Sequence, residues 1–123
     1  MAVSSQIYNA NPGVATVFSP TIETPEYTTV GIVIQHPAGV TTTYSVEGSS
    51  TPQNLFDSGA GIWGYWDLRD RDGNKLDAAA KSAAETFTLS IVPPFKRIRI
   101  KMVTTVAGGN KIVIEQTSKI IVG

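Results

Sequence analysis

The sequence predicts an all-β protein: an antiparallel β-sandwich, jelly-roll-like, of about seven to eight strands with at most one short helix. Three observations carry this. Apolar and polar residues alternate in run after run, the period of half-buried strands. Turn signals recur between the runs at Pro37–Gly39, Asp72-Gly73, Pro93-Pro94 and Ala107–Asn110. A single stretch, Asp77–Glu85, is rich in good helix formers.

The elements follow in order. Residues 1–15 are small and polar, with the breaker Pro12-Gly13, and read as an N-terminal arm or loose lead-in. A single β-sandwich domain is expected over 16–123. Thr16–Ile22 contains Pro20, which suits an edge strand or a bulge. In Thr28–His36, Val30, Ile32 and Ile34 share one face; in Val40–Gly48, Thr42, Tyr44 and Val46 do. With Pro37–Gly39 between them, these two runs predict an antiparallel hairpin.

Ser49–Gly61 reads as a polar loop holding the apolar pair Leu55-Phe56. Ile62–Asp70 is the next strand, with Ile62, Gly64, Trp66 and Leu68 on the face expected to be core and Trp63 and Tyr65 opposite. Asp77 is placed to cap a short helix through Glu85, which must pack on the sheet to persist. Thr86–Val92 turns Phe87, Leu89 and Ile91 inward, and Pro93-Pro94 ends it. Phe95–Val103 turns Ile98, Ile100 and Met102 inward and Arg97, Arg99 and Lys101 outward. Ala107–Asn110 predicts a second hairpin, returning through Lys111–Thr117 with Ile112 and Ile114 inward.

The totals bound the function. Length is 123 residues, one domain's worth, and ten Lys plus Arg balance ten Asp plus Glu. That balance gives no electrostatic case for nucleic acid or an anionic membrane as partner. There is no cysteine, hence no disulfide framework and no thiolate metal site. The first residues lack the basic and apolar regions of a signal peptide, and no run approaches the roughly 20 apolar residues of a membrane helix.

No residue set spells out a reaction. Asp-Arg-Asp-Gly at Asp70–Gly73 resembles half a calcium loop, but with Gly73 at the sixth position the first and twelfth fall on Leu68 and Ala79, which cannot ligate. A looser site at Asp70, Asp72 and Asn74 competes with an ordinary solvated turn. The single histidine, His36, sits at a strand end beside Pro37, a structural position rather than a general base. Nothing selects Asp57, Asp67 and Asp77 as a carboxylate pair, and neither Gly-Ala-Gly nor Ala-Gly-Gly stands between a strand and a helix. The expectation is no enzyme, no cofactor and no metal.

Two features point to binding. Trp63 and Tyr65 lie off the core face with Gly64 between them, and suit a protein interface or a sugar-stacking platform, with the interface favoured. The row Arg97, Arg99, Lys101 keeps one strand face soluble, pairs with acids such as Glu115 on the expected hairpin partner, or becomes an interface row in an assembly.

A resemblance adds to this. Ile22–Tyr27, Thr43–Ser50 (TYSVEGSS), Trp63–Leu68, Phe87–Val103 with its Pro-Phe-Lys-Arg-Ile-Arg phrase at Pro94–Arg99, and a Gly-rich turn before the last strand resemble small β-sandwich virion proteins of tailed bacteriophages. The resemblance spans Thr21 to Gly123 and implies a structural particle protein without catalytic residues. It implies a capsid decoration (cement) protein, or a neck, tail or head-fibre component. Partners would be the major capsid protein or other virion proteins, with self-association as a dimer or trimer and a place on the capsid surface. The alanine-rich Ala78–Ala84 departs from the pattern. The rival is a carbohydrate-binding β-sandwich module using Trp63 and Tyr65.

Overall fold

A computed structural model describes residues 3–10, 13–24, 28–68, 72, 80–108 and 110–120. Its strands are β1 (Val3–Ala10), β2 (Thr16–Phe18), β3 (Ile22–Glu23), β4 (Thr28–His36), β5 (Thr41–Ser49), β6 (Gly64–Trp66), β7 (Ala80–Lys81), β8 (Glu85–Ile91), β9 (Arg97–Val106) and β10 (Ile112–Ile120), with one helix, α1 (Gln53–Asp57). They form two sheets. One runs β1-β10-β4-β8; the other runs β2-β9-β5-β6, with β3 added on β9 and β7 on β5. Every pairing is antiparallel.

The alternating faces meet in one core. Val30, Ile32, Ile34, Leu89, Ile91, Ile112 and Ile114 come from the first sheet, and Tyr44, Val46, Ile98, Ile100 and Met102 from the second. Each such side chain contributes about 1.5–3 kcal/mol by leaving water. Within the buried layer Thr42 and Thr104, directly opposed on β5 and β9, share a 2.8 Å hydroxyl hydrogen bond.

Both expected hairpins are corrected. β4 and β5 belong to different sheets, and so do β9 and β10. The turn residues are real, but they carry the chain across the roughly 10 Å between packed sheets instead of folding it back in-plane. His36 holds the first crossing. Its Nε2 donates to the Val40 carbonyl at 2.6 Å, and its Nδ1 is hydrogen-bonded with the Tyr44 hydroxyl at 2.7 Å. Burial pushes the Tyr44 phenol above its ordinary value, and a hydrogen bond with Thr42 opposes this in part. The second crossing packs on the first: a Cβ on Gly108 would lie 2.9 Å from Val40 Cγ2 and 3.0 Å from the Gly39 oxygen.

Four further expectations change. Residues 3–10 of the expected arm are strand β1, paired with β10 along its whole length from Val3↔Lys119 to Ala10↔Ile112. The helix lies at Gln53–Asp57, inside the stretch read as loop. Of the alanine-rich stretch, Ala80–Lys81 is strand β7 and Glu85 already begins β8, while residues 77–79 lie outside the described residues. Ile62 is 76 % exposed and not core; β6 starts only at Gly64, so Ile62 is free of the strand's alternation.

Candidate interface site

The site grows from β9. Arg99 and Glu47 are directly opposed across β9 and β5, and the guanidinium holds the carboxylate from both Nε and Nη2 at 2.8 Å. Both nitrogens converge on one oxygen, Oε1, in a charge-assisted contact. The guanidinium also lies against two rings, 3.8 Å from the centroid of Phe18 on β2 and 4.2 Å from that of Trp63. The acid partner is therefore Glu47; Glu115 stands on β10 in the other sheet.

Arg97, expected to face solvent, is 1 % exposed. Its direction is the expected one, but the segment after β5 folds over it. Its Nη1 donates to the Thr51 carbonyl at 2.8 Å and Nη2 to Gln53 Oε1 at 3.2 Å, while the Phe56 ring lies 4.0 Å from Cζ. Nε sits 3.6 Å from Glu23 Oε2, an ionic contact too long for a hydrogen bond. Lys101, half-buried, is opposed by Phe18 on β2 and Ser45 on β5.

The covering segment is a closed loop of the kind that packs on its own side chains. Pro52 starts α1, Gln53 Nε2 donates to Asp57 Oδ1 at 2.7 Å, and Gly59 turns the chain out at φ +89°. The Ile62 amide donates to Thr51 Oγ1 at 2.9 Å and ties the ends together. Gly61 is required because a Cβ there would meet the Phe56 ring at 2.6 Å. Phe56 and Trp63 then pack edge to face at 5.8 Å.

The loop turns apolar side chains outward. Leu55 is 47 % exposed and Ile62 76 %, with Tyr65 of β6 at 49 %. Leu55 and Ile62 line an open, mainly apolar groove of about 450 Å³ shared with Gly48, Ser49, Gly64 and Phe95. Phe95 forms part of its wall, edge to face with Trp66 at 5.4 Å and close over Gly48.

Of the sequence-expected residues, Trp63, Arg97 and Arg99 come together, with Lys101 two residues further along β9. Tyr65 is opposed to Glu47 on β5 and so borders the group. Trp63 is half-buried with a cation against its ring, which is unlike an open sugar platform. The sequence reading missed Phe18, Glu47, Phe56, Leu55 and Ile62. Only Glu47 carried a usable signal, its outward parity on β5. Among the described residues no group of three or more His, Cys, Asp or Glu side chains converges to hold a metal ion. Asp70, Asn74 and Asp77 of the weighed calcium and carboxylate sites lie outside the described residues. No helix among the described residues is long and apolar enough to cross a membrane. No family profile, curated protein or solved structure matches the chain.

Proposed function

We propose that this chain is a non-enzymatic virion structural protein of a tailed phage, a capsid decoration protein that binds and stabilises neighbouring coat subunits and works as a symmetric homo-oligomer. The observation that carries the reading is the strand order. We read β1-β10-β4-β8 over β2-β9-β5-β6 as an eight-strand jelly roll of two Greek keys. Viral capsid domains and lectins share that architecture, so the fold alone does not choose between them. The residues favour the first. The TYSVEGSS, Trp-strand and Pro-Phe-Lys-Arg-Ile-Arg stretches resemble phage virion proteins. The Trp63 ring is occupied by Arg99.

The coat contact in this reading is the loop face, where Leu55 and Ile62 line the groove and Tyr65 is exposed on neighbouring β6. Exposed apolar and aromatic side chains gathered beside a preformed recess are what a partner's anchor residue fits. The direct test adds purified protein to shells assembled without it and measures co-sedimentation. Wild type saturates the shells, and Ile62→Glu binds at least about tenfold more weakly while its circular dichroism is unchanged. Failure of the wild type to sediment with the shells contradicts the reading; equal binding of the variant moves the contact off this face.

A further inference from the structure

The two sheets end differently at their edges. β2 and β6, at the edges of the second sheet, have three residues each. In the first sheet β8 offers seven, Glu85–Ile91, in unbroken register with β4 and, among the described residues, paired with nothing on its other side. Edge strands are commonly protected by charge, proline, a bulge or brevity. β8 has none of these along its length. Its one charged residue, Glu85, stands at the end and is neutralised by Lys81 at 2.7 Å.

The strand is also complementary to itself. Set antiparallel against a second copy with Thr88 on a twofold axis, all seven residues find a partner. Phe87 opposes Leu89 and Thr86 opposes Ser90, with Thr88 on Thr88 at the centre. Phe87, Leu89 and Ile91 point to the core side, whereas Thr86, Thr88 and Ser90 are exposed on the outer face. Phe87 and Leu89 thus meet on one face and hydroxyls meet hydroxyls on the other, both favourable cross-strand pairings, while Glu85 opposes Ile91 at the two ends of the paired stretch. Both core faces stay on the same side, so the first sheet runs on through the axis. The other long edge, β1, has eight residues and no central residue to place on such an axis without losing a pair.

We infer that β8 is a dimerisation edge: two copies of this chain join through antiparallel β8–β8 pairing about Thr88, making one eight-stranded sheet across the twofold axis. The contact is isologous, as closed dimers require, and its backbone hydrogen bonds supply affinity while the side-chain match fixes the register. The inference gives the self-association of the preceding section its surface, and it stands whether or not the partner of the loop face is a coat protein.

The test uses the absence of cysteine from the chain. Thr88→Cys places one thiol on each side of the axis, at the Cα separation of about 4.5–5.5 Å that a directly opposed antiparallel pair brings. Under mild oxidation at micromolar protein, Thr88→Cys gives a disulfide-linked dimer. Thr86→Cys and Ser90→Cys each give little, and the Thr86→Cys/Ser90→Cys double variant links efficiently. Sedimentation equilibrium of the wild type gives twice the 13.1 kDa chain mass. Thr88→Lys sets like charges face to face and weakens the dimer at least about tenfold, with unchanged circular dichroism. A wild-type monomer or trimer in the same concentration range overturns the inference. So does cross-linking at position 88 no faster than at 86 or 90 alone.

Discussion

Truncating Arg97 removes the centre of the layer outside β9. The guanidinium is hydrogen-bonded to Thr51 and Gln53 and covered by Phe56, so Arg97→Ala uncouples the loop from the sheet beneath it. Two hydrogen bonds from a charged donor and a desolvated cation–π contact put the cost at about 3 kcal/mol. Urea unfolding followed by tryptophan fluorescence checks this; a loss under about 1 kcal/mol would mean that the loop holds without the arginine. Period-2 alternation gives the outward direction of Arg97 and Arg99 correctly, because it is a property of the strand. It says nothing of what lies outside the strand. Whether an outward cation meets water or Phe56 depends on a loop arriving from more than forty positions away in sequence. For the same reason Glu115 looked a suitable partner while Glu47 is the actual one: the choice depends on which strands are neighbours.

At the scale of elements, inward faces were legible and connections were not. Val30-Ile32-Ile34, Tyr44-Val46, Ile98-Ile100-Met102 and Ile112-Ile114 are all buried as alternation requires. The turns at Pro37–Gly39 and Ala107–Asn110 were read as hairpins because a tight reversal within a sheet and a corner between sheets use the same residue types. What distinguishes them here is the His36–Val40 contact and the seating of Gly108 on Gly39, neither of which has a local sequence signal. Helix α1 was missed because propensity favoured the alanines, and a five-residue helix is held by its tertiary setting rather than its propensity. Strand β5 supplies a prediction of its own. A Cβ at Gly48 would lie 2.3 Å from Phe95 Cδ2 and 2.6 Å from Cγ, so the whole ring must shift and with it the wall of the groove. Gly48→Ala should cost about 1–3 kcal/mol and change the tryptophan emission through the Trp66–Phe95 contact. An unchanged spectrum and stability would show that the ring moves freely.

For the whole molecule, composition and periodicity identify two packed layers of antiparallel strands, and the strand order that suggests a jelly roll emerges only from the pairings. Sheet order depends on contacts between distant segments, such as β1 with β10, the first and last strands of the chain. The molecule then presents two different surfaces. One is the loop face with Leu55, Ile62 and Tyr65, proposed for coat subunits; the other is the regular edge of β8, proposed for a second copy. In the proposed role, a dimer bearing two loop faces would bind a lattice at two points at once, and such multivalency turns modest contacts into firm attachment. The most direct test of the proposed capsid role is quantitative mass spectrometry of virus particles purified from the source of the chain, counting its copies against the major coat protein. The account predicts copies in stoichiometric proportion to the coat. Absence of the chain from the particles, or a few copies each, would contradict capsid decoration.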